Sequence, residues 1–418
     1  MWKNWIDERM NLKWLSDGMK KSILAQYDES CQRWGRLRLS QIKSKQTDVV
    51  DLAGGTQRGY TKPPEHVLET IHKGIDEGSF EYPKDEKVAE FRYLVAEKLK
   101  DMYGLDLNPR SEIALCVGAS TALDAALRIF VNPGDEVIIM DPDYATYEAQ
   151  AASYNAKVIS VPLKEVKPGE WDFNFEDLEK RVSQKTKLLM ISNANNPTSY
   201  LYTEKNNEDI LELANKNDFY ILSDQVSEEI LFDGAKYHSI ASLPEAMNRT
   251  IMCSSFSKLY CLSGLRIGYI AANNKIIEQL NQIIGWTTDG IVTPGVDAGI
   301  AVLKNKEKTR EFIKNTLESL RKRRDYMNER LGKMEGVIPN NPKGLYWAFP
   351  NVKSFKIPTQ QLAEFLMQEE KVYVRPGTWY GRNGEGHFRI SFCMDPEWIR
   401  KGMDRMESGL EKISKKII

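Results

Sequence analysis

The sequence predicts an α/β protein: a large domain with a mostly parallel sheet between helices, joined to a smaller α+β domain. Three observations predict it. Between about residues 112 and 271, short apolar runs alternate with segments of helical periodicity, as in successive βαβ units. Past about residue 300 the alternation stops, and a long charged helix leads into short strands mixed with helices. The 418 residues, 41% hydrophobic and 28% charged, suffice for two or three domains with a sizeable core.

In chain order, residues 1–46 form an arm with ten Lys/Arg against five Asp/Glu and with Trp2, Trp5, Trp14 and Trp34. Helical spacing around Trp14, Leu15 and Met19 predicts a helix or two there, packed on the body or on a partner subunit. Residues 47–75 are the N-terminal part of the small domain, and 76–300 the large domain. The first predicted strand, Ile113–Val117, leads into a helix through Ala122, Ala125, Ala126 and Ile129, and Asn132 to Asp135 is a turn. Strands follow at Glu136–Met140, Lys157–Val161, Leu188–Ser192, Tyr220–Ser223, Ile251–Ser254 and Ile267–Ala271. Helices near Tyr147–Tyr154, Phe175–Val182 and Asn207–Asn217 separate them. Strands this uniformly apolar are covered on both faces. Residues 301–418 complete the small domain. They hold helices at Lys306–Met334, Thr359–Glu369 and Glu397–Lys415, and strands at Tyr346–Phe349, Val372–Val374 and Phe388–Phe392.

Several classes are excluded. The net charge of −1 is not that of a dedicated nucleic-acid or membrane-surface binder. No run of about 18 apolar residues predicts a membrane span. Asp7, Glu8 and Arg9 interrupt any apolar stretch at the N-terminus, so no secretory signal is read there. Five scattered cysteines without a Cys-x-x-Cys pair point to a reducing compartment, the cytoplasm. The four histidines lack metal-ligand spacing, so no metal is expected.

In a parallel sheet, ligands bind beyond the carboxyl ends of the strands. The residues following each predicted strand therefore form one candidate site. Gly118, Ala119 and Ser120 open a helix, whose free N–H groups and positive dipole end suit a phosphate. Ser255 and Ser257 add hydroxyls, and Arg266 can clamp the same group bidentately. Lys258 can form a Schiff base once desolvated. Asp224 can keep a pyridine nitrogen protonated. Asn196 can donate to a ring oxygen, and Tyr144 can stack on the ring. The cofactor that uses all of these is pyridoxal 5′-phosphate (PLP).

The same residues carry a family resemblance. Ser255-Phe256-Ser257-Lys258, followed by Ser263-Gly264-Leu265-Arg266-Ile267-Gly268-Tyr269, resembles the lysine signature of class I/II aminotransferases, fold type I enzymes of the aspartate aminotransferase superfamily. Asn195-Asn196-Pro197-Thr198 resembles their Asn-Pro-Thr-Gly element. Asp141 to Tyr147 resembles their Pro-x-Tyr-x-x-Tyr element, and the block from Ser223-Asp224 to Pro244 is similar to the bacterial and archaeal subgroup. The likeness spans about residues 48–415. It implies transfer of an amino group between an α-amino acid and a 2-keto acid, with Lys258 and Asp224 catalytic. It further implies that Arg389 pairs with the substrate α-carboxylate, with Arg375 the alternative, and that Gly55 lies beside that carboxylate. Tyr82 would reach the cofactor phosphate of a neighbouring subunit, which implies a homodimer with shared active sites. Arg58, Lys62, Trp286 and Tyr346 are candidates for the substrate pocket.

The sequence also departs from the family pattern. Ser227 stands where a tyrosine usually donates to the ring oxygen, and a serine reaches less far. Ser199 replaces the glycine after Asn-Pro-Thr, Ala194 replaces a proline, and Leu265 a tryptophan. Ser227 and the Trp-rich arm motivate a second reading, β-elimination or decarboxylation on the same fold.

Overall fold

The computed structural model describes Ser16, residues 33–54 and residues 60–417. The rest of the predicted arm, Gly55 and Arg58 lie outside the described residues. The described chain starts with α1 (Arg33–Ser44), β1 (Val50–Asp51), α2 (Glu65–Asp76) and α3 (Asp85–Tyr103). The large domain continues through β2 (Ile113–Cys116), α4 (Ala119–Phe130), β3 (Glu136–Asp141), α5 (Thr146–Ser153), β4 (Lys157–Lys167), β5 (Glu170–Phe173) and α6 (Phe175–Glu179). It is completed by β6 (Thr186–Ser192), α7 (Glu204–Asn217), β7 (Tyr220–Asp224), β8 (Thr250–Ser255), β9 (Gly268–Ala271), α8 (Asn274–Thr288) and α9 (Thr293–Lys304).

The eight strands from β2 to β9 form one sheet in the order β2-β9-β8-β7-β6-β3-β4-β5. Pairing from β4 through β3, β6 and β7 to β8 is parallel, whereas β9 runs antiparallel to β2 and β8, and β5 to β4. Side chains alternate between faces along each strand. Leu188, Met190 and Leu222 join α4 and α8 in one core, while Leu189, Ile191 and Ile221 join α7 in the other. Burial on both faces is why these strands read as unbroken apolar runs.

Three elements differ from the sequence reading by three residues or more. Helix α7 starts at Glu204 rather than Asn207, because Thr203 Oγ1 accepts from the Asn206 N–H while Asn206 Oδ1 accepts from the Thr203 N–H. This reciprocal cap stabilises a polar first turn that apolar periodicity does not mark. Helix α6 ends at Glu179, since only Leu178 of its residues is buried and one turn suffices to dock it. Strand β4 continues to Lys167 past Pro162, the point where its pairing passes from β3 to β5. The second half is mostly polar, so the sequence hides it.

The small domain adds α10 (Lys306–Lys333), β10 (Trp347–Ala348), α11 (Thr359–Glu369), β11 (Val372–Tyr373), β12 (Arg375–Pro376), β13 (Phe388–Ser391) and α12 (Pro396–Ile417). Strand β1 pairs with β11, and β10, β13 and β12 form a three-stranded antiparallel sheet. Helix α1 packs against α11. Among the described residues, no helix is long and apolar enough to cross a membrane, and no cluster of His, Cys, Asp and Glu can hold a metal.

A buried network ties α3 to the strand ends. Lys98 Nζ lies 2.7 Å from Glu228 and 2.8 Å from Glu229. The Tyr103 hydroxyl also donates to Glu228 at 2.7 Å. Removing the only side-chain cation of this network among the described residues leaves Glu228 and Glu229 without a counter-charge. Lys98→Met is therefore expected to lower stability by about 3–5 kcal/mol, read from urea unfolding. A loss below about 1 kcal/mol would show the carboxylates to be balanced otherwise.

Candidate active site

The carboxyl ends of β6, β7 and β8, the start of α4 and strand β10 converge on one cavity of about 280 Å³. Lys258, in the turn after β8, lines it. Burial, and next the charge of Arg389, bring its amine down to about 8, against a smaller opposite pull from Asp224. The side chain is thus far easier to deprotonate than an ordinary lysine.

Asp224 ends β7. Its Oδ2 accepts from the Tyr147 hydroxyl at 2.8 Å and its Oδ1 from the Val226 N–H at 3.2 Å. Burial raises its carboxyl above the usual range, and these two donors pull it back. Such a buried carboxylate is suited to a cationic ring nitrogen. At the other end of the cavity, Gly118 precedes α4 with φ 75°. A Cβ there would fall 2.4 Å from Arg266 Nη2, so only glycine lets the guanidinium lie against this turn. Arg266 donates to the Ser263 carbonyl at 2.9 Å. Ala119, Ser120, Ser255, Ser257 and Arg266 all face the cavity. Helix N–H groups, hydroxyls and a guanidinium form an oxyanion cup.

Arg389 projects from β13, is 2% exposed and does not itself line the cavity, but it contacts Asn196 and Trp347, which do. Its Nη1 donates to Asn196 Oδ1 at 3.1 Å. A guanidinium has only donors, so the Asn196 atom facing it is the oxygen, which leaves the amide NH₂ for a ligand. Tyr144 lines the cavity and meets Tyr147 edge-on at 5.4 Å between ring centroids. Ser227 also lines it. Ser199 adopts φ 64°, which costs about 1–2 kcal/mol for a residue with a Cβ. Its hydroxyl donates to the Gly344 carbonyl at 2.7 Å and accepts from the Gly344 N–H at 2.9 Å, offsetting that cost.

Not every predicted residue meets at the cavity. Tyr82 is 67% exposed and donates to Asp289 at 3.1 Å, away from the cavity of its own chain. Arg375 sits opposite Arg389 in the β12–β13 register, but it turns to the Tyr380 hydroxyl at 3.3 Å and does not line the cavity. Trp286 and Lys62 are exposed, and Tyr346 is fully buried outside the cavity.

Two residues are additional to the sequence reading. Trp347 lines the cavity in place of Tyr346, with the Arg389 guanidinium 4.3 Å from its ring centroid. It pairs with Ser391 in the antiparallel register, which puts it on the same face as Arg389. Adjacent aromatics in a strand point to opposite faces, and only the pairing decides which turns inward. Tyr147 holds Asp224. It falls within the Tyr144-x-x-Tyr147 element, where the spacing alone does not show its partner.

An easily deprotonated lysine, a buried carboxylate and an oxyanion cup around one cavity fit PLP. Together with the parallel sheet, they define a PLP-dependent enzyme of the α/β type. The family described as aminotransferase class I and II matches residues 47–406. The chain is 33% identical to aromatic-amino-acid aminotransferase 2 of Thermococcus litoralis, over 84% of this chain and 89% of that protein. It is 32% identical to the aspartate aminotransferase of Pyrococcus abyssi, over 90% and 95% of the two chains. The solved structure of the aromatic aminotransferase from Pyrococcus horikoshii superposes with a TM-score of 0.82 at 30% identity, covering 91% of this chain and all of that one. The chain therefore belongs to the class I and II aminotransferases and uses PLP.

Proposed function

We propose that the chain transfers amino groups between an α-amino acid and a 2-keto acid in the cavity around Lys258. The observation that carries this is that Lys258 and Asp224 face one cavity whose wall residues Asn196 and Trp347 are backed by Arg389. Bound PLP supplies an aldehyde for amine attachment and a ring that takes up the electrons released when a Cα–H bond breaks. Lys258 would hold the cofactor through its amine and, once that amine is free, would take the substrate Cα proton and give it back as base and acid. Asp224, held by Tyr147, would stabilise a protonated ring nitrogen. The cup of Ala119, Ser120, Ser255, Ser257 and Arg266, at the turn of Gly118, would hold the phosphate. Asn196 and Ser227 would serve the ring oxygen, and Tyr144 would stack on the ring. Arg389 and Gly55 would receive the α-carboxylate and so orient the substrate.

The chain acts as a cytoplasmic homodimer in this reading. Its large domain spans 76–300, and its small domain combines 47–75 with 301–418. The exposed Phe80, Tyr82, Trp286 and Val292 support the dimer, because Tyr82 bonds to Asp289 and lies beside Gly290, which brings the two segments together, and contiguous apolar surface marks contacts with other proteins. Tyr82 would then reach across to the partner's phosphate.

The test is a panel of amino acids, including aspartate and phenylalanine, added to the PLP-loaded enzyme without a keto acid. The expected result is one equivalent of keto acid per site and conversion of the cofactor to its aminated form. Release of ammonia or carbon dioxide instead would favour the lyase reading that Ser227 motivates.

A further inference from the structure

We infer that Asp143 is a positioning residue for the cofactor ring, fixing Tyr144 at its face and Asn196 at its edge through a single carboxylate oxygen. The inference rests on the assignment of the cavity to PLP. Asp143 is 2% exposed, so it is not a solvated turn residue. Its Oδ1 accepts from the Tyr144 N–H at 2.7 Å and from the Ser192 hydroxyl at 2.5 Å. The Ser192 oxygen in turn accepts from the Asn196 N–H at 3.2 Å.

A hydroxyl has one proton to give. Because Ser192 gives it to Asp143, its lone pairs are left to hold Asn196. Asn195 Nδ2 donates to the Pro142 carbonyl at 3.3 Å and joins the same two loops a second time. With its backbone held by Ser192 and its side-chain oxygen by Arg389, Asn196 has one direction left for its amide donor. Burial pushes the Asp143 carboxyl well above the usual range, and Asp224 nearby adds to the effect. Asp143 Oδ2 is buried without a hydrogen-bond partner among the described residues.

The test reads the absorbance of the PLP-loaded enzyme against pH. A donor at the ring oxygen stabilises its anion and lowers the midpoint at which the bound cofactor loses its proton. Loosening that donor raises the midpoint. Asn196→Ala gives the full effect. Ser192→Ala, which leaves the Asp143–Tyr144 bond intact, should raise the midpoint by about half to one pH unit, as expected for one neutral hydrogen bond. Asp143→Ala should do the same, while Asp143→Asn, which keeps a carbonyl in place, should return the midpoint to the parent's value. If Asp143→Ala does not fold, Ser192→Ala and Asp143→Asn carry the test. An unmoved midpoint in Ser192→Ala, with a raised one in Asn196→Ala, overturns the inference alone. So does an equal rise in Asp143→Asn and Asp143→Ala. Failure of the parent to bind PLP removes the cavity assignment and the inference together.

Discussion

Replacing Lys258 with alanine is expected to reduce turnover by at least about 10³-fold, the scale of a lost general acid–base group, and to leave PLP attached only by non-covalent contacts. Steady-state kinetics and dialysis of the loaded enzyme against phosphate buffer check the two parts. A variant that kept turnover within about tenfold would rule out Lys258 as the proton carrier. The same position predicts a stability effect in the cofactor-free protein. The amine titrates at about 8 in the fold, against an ordinary value of 10.5. Between those values the unfolded chain holds a proton that the folded chain has lost. Stability therefore rises with pH across this window and falls again as pH drops towards 8. Relative to Lys258→Met, the parent should gain about 3 kcal/mol between pH 8 and 10.5. A flat difference between the two proteins across that range would contradict the depressed amine.

Asp224→Asn should have the next largest effect. Asparagine keeps the size and one acceptor but removes the charge that holds a proton on the ring nitrogen. Breaking a buried pair costs about 3–5 kcal/mol, or about 10²–10⁴-fold in rate. The loss should fall on kcat, because the charge matters most when the ring takes up electrons. An effect confined to KM would mean that Asp224 only helps to bind the cofactor.

The large domain was legible because its strands are buried on both faces and separated by amphipathic helices. Many of the cavity residues were legible because they follow those strands closely in sequence. Features that depend on three-dimensional pairing were not. The polar half of β4 pairs with β5 in a hairpin whose exposed face carries no apolar pattern. Trp347 and Tyr346 could not be ranked before the register with β13 was known. Tyr147 needed the approach of α5 to the end of β7 to show that its hydroxyl serves Asp224. Helices α8 and α9 lie between the predicted strands and the predicted small domain, where no strand follows to punctuate them.

The order of the sheet has a consequence for how this chain can change. Neighbouring strands stand about 4.8 Å apart, and Asn196, Asp224 and Lys258 come from the ends of three adjacent strands, β6, β7 and β8. Asp224 sits on the hydrogen-bonded ladder itself, while Asn196 and Lys258 follow the ends of β6 and β8 by four and three residues, so the ladder spaces the strands and the loops place these two side chains. A substitution in such a loop alters what is presented to the ligand while the strands keep their spacing. Ser227, Ala194 and Ser199 are changes of this kind: all three lie beyond the strand ends, in segments that leave every ladder pair intact. The scaffold can thus accumulate altered chemistry at its rim without renegotiating its fold, and new substrates become accessible one loop at a time.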